Sequence, residues 1–222
     1  ANKIFEFKKI LFANKPIQDS FIKLHPQAEK KSYLLNYVID DKRIINLSKA
    51  NIEVNKPDHK VLFITAGSLN DRAKNYTLMI KMMSGLTKLN NHVELWILGD
   101  GPDLVNLKML VNSLNLNNYV KFLGFKGNPY PYMAVADYFV NTSDYFDFST
   151  ALSEARVLQK PIISTNIDEV NNNTYIISSD PNKIVSDVNE LLNKKITYQG
   201  NNNFWVENQR ILKTLDTIIT TK

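Results

Sequence analysis

The segment Val93-Glu-Leu-Trp-Ile-Leu-Gly-Asp-Gly-Pro102 decides the fold class of this 222-residue chain. Its first six residues are mostly apolar, which predicts a short buried strand, and the Gly-Asp-Gly-Pro that follows predicts a tight turn. Val61-Leu-Phe-Ile-Thr-Ala-Gly67 has the same form, and residues 76–89 between the two segments place apolar side chains at helical spacing. Two buried strands joined by a helix predict parallel pairing through a right-handed crossover.

The same alternation continues toward the C-terminus. We predict four further strands, over residues 120–123, 136–140, 161–164 and 174–177. Between and after them we predict helices over residues 103–114, 150–158, 182–192 and 203–219, and a short helix that begins near Pro129. Buried strands that alternate with helices predict an α/β fold with a doubly wound, parallel, Rossmann-like sheet.

Residues 1–59 show no such regular alternation. They hold an apolar stretch at 9–13, a predicted helix over 17–24, a predicted short strand at 33–35 and a predicted helix over 41–50. Pro57 precedes the change of pattern. We therefore predict a boundary after residue 59, followed by one large domain over residues 60–222.

The net charge of +5 is unevenly distributed along the chain. Residues 1–60 hold 12 Lys and Arg against 7 Asp and Glu, whereas the remainder is neutral. One interpretation is a basic segment that associates with an anionic membrane surface or with a phosphate-bearing acceptor. The alternative is a solvated, lysine-rich face. We predict no nucleic-acid binding, because no compact basic run is interleaved with aromatic residues.

Composition excludes several kinds of site. The chain has no cysteine, so disulfides, zinc–thiolate sites and a thiol nucleophile are excluded. Its three histidines, His25, His59 and His92, are too scattered to suggest a metal cluster or a triad. No Asp-x-Asp occurs, so a metal–diphosphate site built on that motif is not expected. No Gly-x-Gly-x-x-Gly follows the first predicted strand, so NAD binding is not expected. No signal peptide or apolar run of membrane-helix length is evident, and we expect a cytoplasmic location.

In a parallel sheet, ligands bind at the carboxyl ends of the strands. The segments that follow the predicted strands are rich in glycine and small polar residues, which permit close approach of the backbone to a ligand. These segments are residues 67–75, 99–102, 124–128, 143–149 and 164–165. We therefore expect the binding site to be built from them.

Seven motifs occur in a fixed order over about half of the chain: Gly67-Ser-Leu, Lys74-Asn75, Leu98-Gly-Asp-Gly-Pro102, Phe122-Leu-Gly124, Ala136-Asp-Tyr-Phe-Val140, Asp147-Phe-Ser-Thr-Ala-Leu-Ser-Glu-Ala155 and Gln159-Lys-Pro-Ile-Ile163. With this order and spacing, the chain resembles the nucleotide-binding domain of glycosyltransferase family 4, the retaining GT-B enzymes. Residues 36–40 resemble the segment that leads from the acceptor domain into this domain. Residues 128–132, Asn-Pro-Tyr-Pro-Tyr, resemble a signature of capsule and cell-wall polysaccharide transferases.

The resemblance implies the carboxy-terminal, nucleotide-sugar-binding half of a GT-B fold. Residues 1–59 then correspond to a remnant of the acceptor domain plus a linker, and the rest of that domain is expected to precede residue 1. The implied donor is a nucleoside-diphosphate hexose, with UDP as the expected nucleotide. The implied acceptor is a glycan or a lipid-linked sugar held by the amino-terminal domain. A lipid-linked acceptor would also imply peripheral association of the protein with the inner face of the plasma membrane. No cofactor and no tightly bound metal are implied, and the isolated chain is expected to transfer little.

Three residues are the catalytic candidates that the resemblance implies. Lys74 is expected to open a helix, bind the donor diphosphate and stabilise the leaving nucleotide. Arg72 is a candidate substitute for the family arginine, whose place is taken by Ser68; plain solvent exposure is its alternative. Glu154 is expected to accept hydrogen bonds from the two ribose hydroxyls.

The remaining candidates are implied to surround the donor. They are Gly67, Ser68, Asn75, Gly99, Gly101, Phe125, Lys126, Asp147, Ser149, Thr150, Ala151 and Leu152. Residues 149–152 are expected to form the first helical turn, with N–H groups toward the diphosphate. Phe125 and Lys126 are expected beside the base, with a core position as the alternative for Phe125. Tyr130, Tyr132 and Trp96 are predicted to be packing residues.

Two departures from the family pattern leave a second function open. Phe146 stands where the family has a glutamate that contacts the donor sugar, and Ser68 stands where it has an arginine. Phenylalanine cannot accept a hydrogen bond. A non-catalytic GT-B-like subunit is therefore the alternative to an active glycosyltransferase.

Overall fold

A computed structural model of the chain describes residues 6–13, 15–35, 37–89, 92–143, 150–165, 173–199 and 204–220. Its elements, in chain order, are β1 (Ile10–Phe12), α1 (Lys15–Leu24), a 3₁₀ helix (Pro26–Lys31), β2 (Ser32–Leu34), α2 (Asp41–Leu47), β3 (Val61–Ala66), α3 (Asp71–Lys74), α4 (Tyr76–Leu89), β4 (Val93–Leu98), α5 (Leu104–Ser113), β5 (Val120–Gly124), α6 (Tyr130–Val135), β6 (Tyr138–Asn141), α7 (Thr150–Val157), β7 (Ile162–Ser164), β8 (Thr174–Ile176), α8 (Ile184–Asn193) and α9 (Phe204–Thr220). The chain divides into two compact units, residues 41–202 and residues 1–40 with 203–222.

The larger unit contains a six-stranded parallel sheet in the order β5-β4-β3-β6-β7-β8. Successive strands run outward from β3 to β5, and the chain then returns to place β6 on the other side of β3. The strand order therefore reverses between β3 and β6, and the carboxyl ends of these strands mark the expected ligand crevice. The predicted doubly wound parallel sheet is confirmed.

Helices cover both faces of this sheet because consecutive strand residues point to opposite sides. Phe63 of β3 packs with α4, α5 and α8 in one buried cluster. Its neighbours Leu62 and Ile64 pack on the opposite face with α6 and α7. Trp96 lies fully buried in that second cluster, as predicted, and Tyr132 meets its ring edge-on at 6.4 Å between centroids.

The smaller unit combines the first 40 residues with α9. Its strands β1 and β2 pair in parallel, and the rings of Phe12 and Phe21 lie 5.1 Å apart. The side chain of Asn208 in α9 accepts a hydrogen bond from the amide of Ile39 at 3.0 Å and donates to its carbonyl oxygen at 2.6 Å. Both groups of the Ile39 peptide backbone are thereby satisfied by one amide side chain.

This division differs from the predicted boundary after residue 59. Ile52 and Val54 pack against the core of the larger unit, so the change of pattern at Pro57 marks the approach to β3 rather than a domain border. The last helix groups with the first 40 residues instead of with the sheet. The interpretation of residues 1–59 as part of an acceptor domain stays a prediction. Within the described ranges, every helix is too short or too polar to traverse a lipid bilayer.

Candidate functional site

A pocket of about 840 Å³ opens at the carboxyl ends of the strands in the larger unit. It is bounded by the ends of β3 and β4, by the loop between β5 and α6, and by the first turns of α7. Its lining consists of Ala66, Gly67, Ser68, Lys74, Leu98, Gly99, Asp100, Phe125, Lys126, Pro129, Thr150, Ala151 and Glu154. Nine of these thirteen are residues that the sequence analysis names as donor-site candidates, so the structure brings most of the predicted site together.

The floor of the pocket is made by two loops whose backbones touch. The amide of Gly67 donates to the carbonyl oxygen of Leu98 at 3.0 Å, and the amide of Leu69 donates to the backbone carbonyl oxygen of Asp100 at 2.9 Å. A Cβ atom at Gly99 would lie 1.8 Å from the Gly67 carbonyl oxygen, and one at Gly101 would lie 2.6 Å from two backbone atoms of Leu69. Both glycines are therefore required by contact between the loops. Gly101 lies outside the pocket lining, unlike its predicted position.

Lys74 lies at the end of a helix rather than at the start of one. It is the last residue of α3, and Asn75 adopts a left-handed conformation, φ 51° and ψ 46°, that separates α3 from α4. The prediction that Lys74 opens a helix is wrong, because the left-handed residue breaks the helical run. The lysine nevertheless reaches the pocket, with its Cε atom 3.6 Å from the position of a Cβ atom built on Gly67.

The amino end of α4 is already satisfied by protein groups. Asp71 accepts hydrogen bonds from the amide of Thr77 at 2.7 Å and from its hydroxyl at 2.5 Å. The side chain of Asn75 accepts from the amide of Leu78 at 3.2 Å. The Asp71 carboxylate also compensates the positive end of the α4 dipole. In the pocket itself, the first helical turn that lines the cavity belongs to α7, through Thr150 and Ala151.

Two buried hydroxyls at the end of β6 hold the backbone around Lys74. The hydroxyl of Thr142 lies 3.1 Å from the carbonyl oxygen of Lys74 and 2.9 Å from that of Asn75, and it shares its proton between them. The hydroxyl of Ser143 donates to the Ala73 carbonyl oxygen at 2.8 Å. Sequence reasoning included Ser143 in a segment expected to build the site but missed Thr142, although small polar residues directly after a buried strand are a recognisable signal at this edge of the sheet.

Glu154 lies on α7, half-buried in the pocket, and accepts a hydrogen bond from the hydroxyl of Tyr130 at 3.1 Å. Burial raises the pKa of the Glu154 carboxyl, and the Tyr130 hydrogen bond opposes that rise. Burial and the nearby Glu154 carboxylate both raise the pKa of the Tyr130 phenol, against a lowering effect from Arg43. The raised pKa keeps the Tyr130 phenol protonated, so Tyr130 is the donor in this hydrogen bond. The sequence analysis predicted only a packing role for Tyr130 and did not predict this hydrogen bond.

The loop after β5 presents an aromatic ring and a cation. Phe125 is 77% exposed and lines the pocket, which excludes the alternative of a core position. The Lys126 ammonium lies 3.0 Å from a carboxylate oxygen of Glu53 and 5.4 Å from the ring centroid of Tyr132. The hydrogen bond to Glu53 raises the pKa of Lys126, so this side chain remains charged.

Four other candidates lie outside the pocket lining, and three positions lie outside the described residues. Arg72 is exposed on α3, which matches its alternative of plain solvent exposure. Asn75 caps α4, and Leu152 is buried in the core on the inner side of α7. Gly101 lies beneath the Leu69 backbone. Asp147 and Ser149, as well as Phe146, belong to the part of the chain that the structure does not describe.

A second cavity, of about 850 Å³, lies at the opposite edge of the sheet and is rich in lysines. Three of its four lysines, Lys56, Lys60 and Lys160, are engaged by the protein itself. Lys56 pairs with Asp137 at 2.6 Å, and the Lys160 ammonium donates to the carbonyl oxygens of Ala134 and Ala136. Because most of its lysines already have partners, and because ligands of parallel sheets bind at the carboxyl ends of the strands, we assign the candidate site to the first pocket.

Comparison with known proteins identifies the family of this chain. The sequence profile of the family described as "Glycosyl transferases group 1" matches residues 48–211. An Escherichia coli protein named "O-antigen biosynthesis glycosyltransferase WclY" is 30% identical over 163 residues, which are 72% of this chain and 44% of that protein. A Campylobacter jejuni protein named "N-acetylgalactosamine-N,N'-diacetylbacillosaminyl-diphospho-undecaprenol 4-alpha-N-acetylgalactosaminyltransferase" is 34% identical over 103 residues, 46% of this chain and 27% of that protein.

Solved structures share the fold. Anabaena HepE, crystallised with UDP and glucose, superposes with a TM-score of 0.73 at 17% identity, over 95% of this chain and 63% of its own. A Staphylococcus aureus TarM mutant, crystallised with a UDP-containing set of ligands, gives a TM-score of 0.71 at 15% identity, over 98% of this chain and 45% of its own. The chain thus spans less than half the length of the two curated relatives. Because the family profile covers well over half of the chain, this protein belongs to the group 1 glycosyl transferases.

Proposed function

We propose that this chain is the donor-binding part of a retaining glycosyltransferase that transfers a hexose from UDP to a polysaccharide or lipid-linked acceptor. The observation that carries the proposal is the content of one pocket. Lys74, Glu154 and the exposed ring of Phe125 all line the same cavity of about 840 Å³. An ammonium, a carboxylate and an aromatic face are the groups that a diphosphate, a ribose and a base respectively require.

In this proposal, Lys74 binds the diphosphate and stabilises the negative charge that develops on the leaving nucleotide. The first turn of α7, at Thr150 and Ala151, adds N–H groups and the positive end of a helix dipole. Glu154 accepts hydrogen bonds from the ribose hydroxyls, and Phe125 stacks on the uracil. Catalysis then rests on stabilisation of the leaving group and on positioning of the two sugars, with displacement on one face of the donor.

The names of the relatives support the finer parts of the proposal. The Campylobacter relative is named for transfer to a diphospho-undecaprenol-linked sugar, and the Escherichia coli relative for O-antigen synthesis. The Anabaena and Staphylococcus aureus structures contain UDP. By analogy, the acceptor here is a growing surface glycan, of the capsule or another class, built on a lipid carrier at the cytoplasmic face of the plasma membrane. In the proposal, the acceptor-binding part precedes residue 1, and no metal is required.

A second candidate is a GT-B-like subunit that binds nucleotide or glycan without turnover. Ser68 favours it, because this uncharged residue lines the pocket where the resemblance implies an arginine. Arg72, the nearest substitute in sequence, lies outside the lining. The part of the pocket that we assign to the diphosphate therefore contains one cation fewer than the family pattern implies.

Isothermal titration calorimetry with UDP, GDP and ADP tests the proposal. We expect UDP to bind best, and Lys74→Ala and Glu154→Ala each to weaken UDP binding at least tenfold. Lys81→Ala and Glu190→Ala, which remove like charges from exposed positions on α4 and α8, serve as matched controls and should bind UDP as the wild type does. Absence of nucleotide binding by the wild-type chain would contradict the donor-site assignment. Nucleotide binding without sugar transfer, once an acceptor domain is joined, would favour the second candidate.

A further inference from the structure

Tyr130 is fixed in place by the backbone that surrounds it. The side chain of Asn128 donates to the carbonyl oxygen of Leu47 at 2.9 Å and accepts from the amide of Tyr130 at 3.3 Å. Pro129 and Pro131 flank the tyrosine and restrict the backbone on both sides. The loop is thereby tied to the end of α2, and Tyr130 enters α6 in one defined position. Its hydroxyl is therefore a pre-positioned donor.

The Tyr130 hydroxyl donates its hydrogen bond to Glu154. The carboxylate is half-buried, and the hydroxyl of Tyr130 lies 3.1 Å from Oε1 of Glu154. A glutamate side chain without such a bond can occupy several staggered conformers, and each would aim its oxygens differently into the pocket. The hydrogen bond restricts that choice. It leaves Oε2, and the second lone pair of Oε1, for other donors.

We infer that Tyr130 is a positioning residue for ribose recognition. By holding Oε1 of Glu154, it orients the carboxylate to accept both hydroxyls of the donor ribose, and it thereby sets the preference for a ribonucleotide over a deoxyribonucleotide. This inference rests on the proposed function, because it assigns the ribose to Glu154. A tyrosine that only fills space between α6 and α7 would affect stability but would not affect discrimination between the two sugars.

The test compares UDP with 2′,3′-dideoxy-UDP by calorimetry, using the intact chain. In the wild type we expect UDP to bind more tightly than the dideoxy analogue. In Tyr130→Phe, UDP affinity should fall roughly five- to tenfold, the loss typical of one intramolecular hydrogen bond. Affinity for the dideoxy analogue should change less than twofold. The ratio of UDP affinity to dideoxy-UDP affinity should therefore fall in this variant.

Tyr138→Phe is the matched control. It removes a tyrosine hydroxyl that donates to the Ile196 carbonyl oxygen at 3.2 Å, at the opposite edge of the sheet, and it should leave the ratio unchanged. In a Glu154→Gln background, Tyr130→Phe should produce no further loss of ratio, which shows that the tyrosine acts through the glutamate. Thermal unfolding of each variant checks that it is folded.

Two results would overturn the inference about Tyr130 while leaving the proposed function intact. One is a Tyr130→Phe variant that binds both nucleotides with wild-type affinity, and the other is a variant that loses affinity for both nucleotides by the same factor. A wild-type chain that binds neither nucleotide would overturn the proposed function and this inference together. The three results are distinguishable because the first two require measurable UDP binding by the wild type.

Discussion

The hydroxyl of Thr142 lies 3.1 Å from the carbonyl oxygen of Lys74 and connects the end of β6 to the loop that carries the candidate phosphate-binding lysine. Thr142 is fully buried, and the same hydroxyl also reaches the carbonyl oxygen of Asn75 at 2.9 Å. The strands β3 and β6 are the two at which the order of the sheet reverses. The position of Lys74 is therefore determined by a strand that is distant from it in sequence.

Replacement of Thr142 by valine should weaken UDP binding and reduce stability. The Lys74 carbonyl oxygen would lose the hydroxyl as a donor, whereas that of Asn75 would keep its bonds from the amides of Leu78 and Met79. We expect a cost of about 1–3 kcal/mol in the free energy of unfolding. Displacement of the Lys74 backbone should also lower UDP affinity several-fold. Thr87→Val, which removes a hydroxyl bond to the Ser84 carbonyl within α4, is the control and should leave UDP affinity unchanged. Loss of stability with full UDP affinity in Thr142→Val would refute the link to Lys74.

A side chain at Gly99 should be poorly tolerated. The Cβ atom of Gly99→Ala would lie 1.8 Å from the Gly67 carbonyl oxygen, and the glycine has a φ of +133°, where L-residues are strained. We expect a loss of about 3 kcal/mol or more in the free energy of unfolding, measured by denaturant titration. Gly127→Ala is the control, because a Cβ atom there meets nothing within 4 Å, and it should change stability by no more than about 0.5 kcal/mol. Equal stabilities of the two variants would contradict the close contact.

Binding of UDP should weaken as the pH falls, and it should do so at a higher pH than it would if Glu154 had the ordinary pKa of a glutamate. Burial raises the pKa of Glu154 in the unliganded protein, so its carboxylate is lost as pH falls through that raised value. Because the proposed acceptor of the ribose hydroxyls is the ionised form, affinity should decrease in the same range. The measurement is the ratio of UDP affinities of wild type and Glu154→Gln between neutral and mildly acidic pH. We expect this ratio to shrink as pH falls; a ratio that is independent of pH would exclude a role for the ionised carboxylate.

Removal of divalent metal should not affect UDP binding. Across the described ranges, no group of three or more His, Asp or Glu side chains is placed to hold a metal ion, and the proposal assigns the diphosphate to Lys74 and the first turn of α7. Titration of UDP in the presence of EDTA should give the affinity measured with added magnesium. A marked loss of affinity with the chelator would require a metal ligand in the site.

The sequence was sufficient for the elements whose pattern is local. The strands around Phe63 and Trp96 are short, buried and bounded by glycine, and the helix over residues 76–89 has a clear apolar spacing; all were confirmed. The parallel pairing of the strands followed from the crossovers, whereas the order of the strands came from the structure. The same local motifs placed Gly67, Lys74 and Glu154 at the carboxyl edge, where one pocket contains them.

What the sequence did not reveal depends on contacts between distant residues. Asn75 adopts a left-handed conformation that ends α3, and Thr142, which is distant in sequence, contacts its carbonyl oxygen. Because this contact is not visible in the local sequence, α3 could not be distinguished from a loop. The hydrogen bond from Tyr130 to Glu154 joins residues 24 positions apart on two helices. The association of α9 with the first 40 residues depends on Asn208 and Ile39, which are 169 positions apart.

The most direct test of the donor site is a crystal structure of the chain in complex with UDP. We expect the diphosphate oxygens within hydrogen-bonding distance of the Lys74 ammonium and of the α7 amides, with the ribose hydroxyls on the Glu154 carboxylate and the uracil against Phe125. A nucleotide bound in the lysine-rich cavity at the opposite edge of the sheet, or a pocket that stays empty at saturating UDP, would contradict this account.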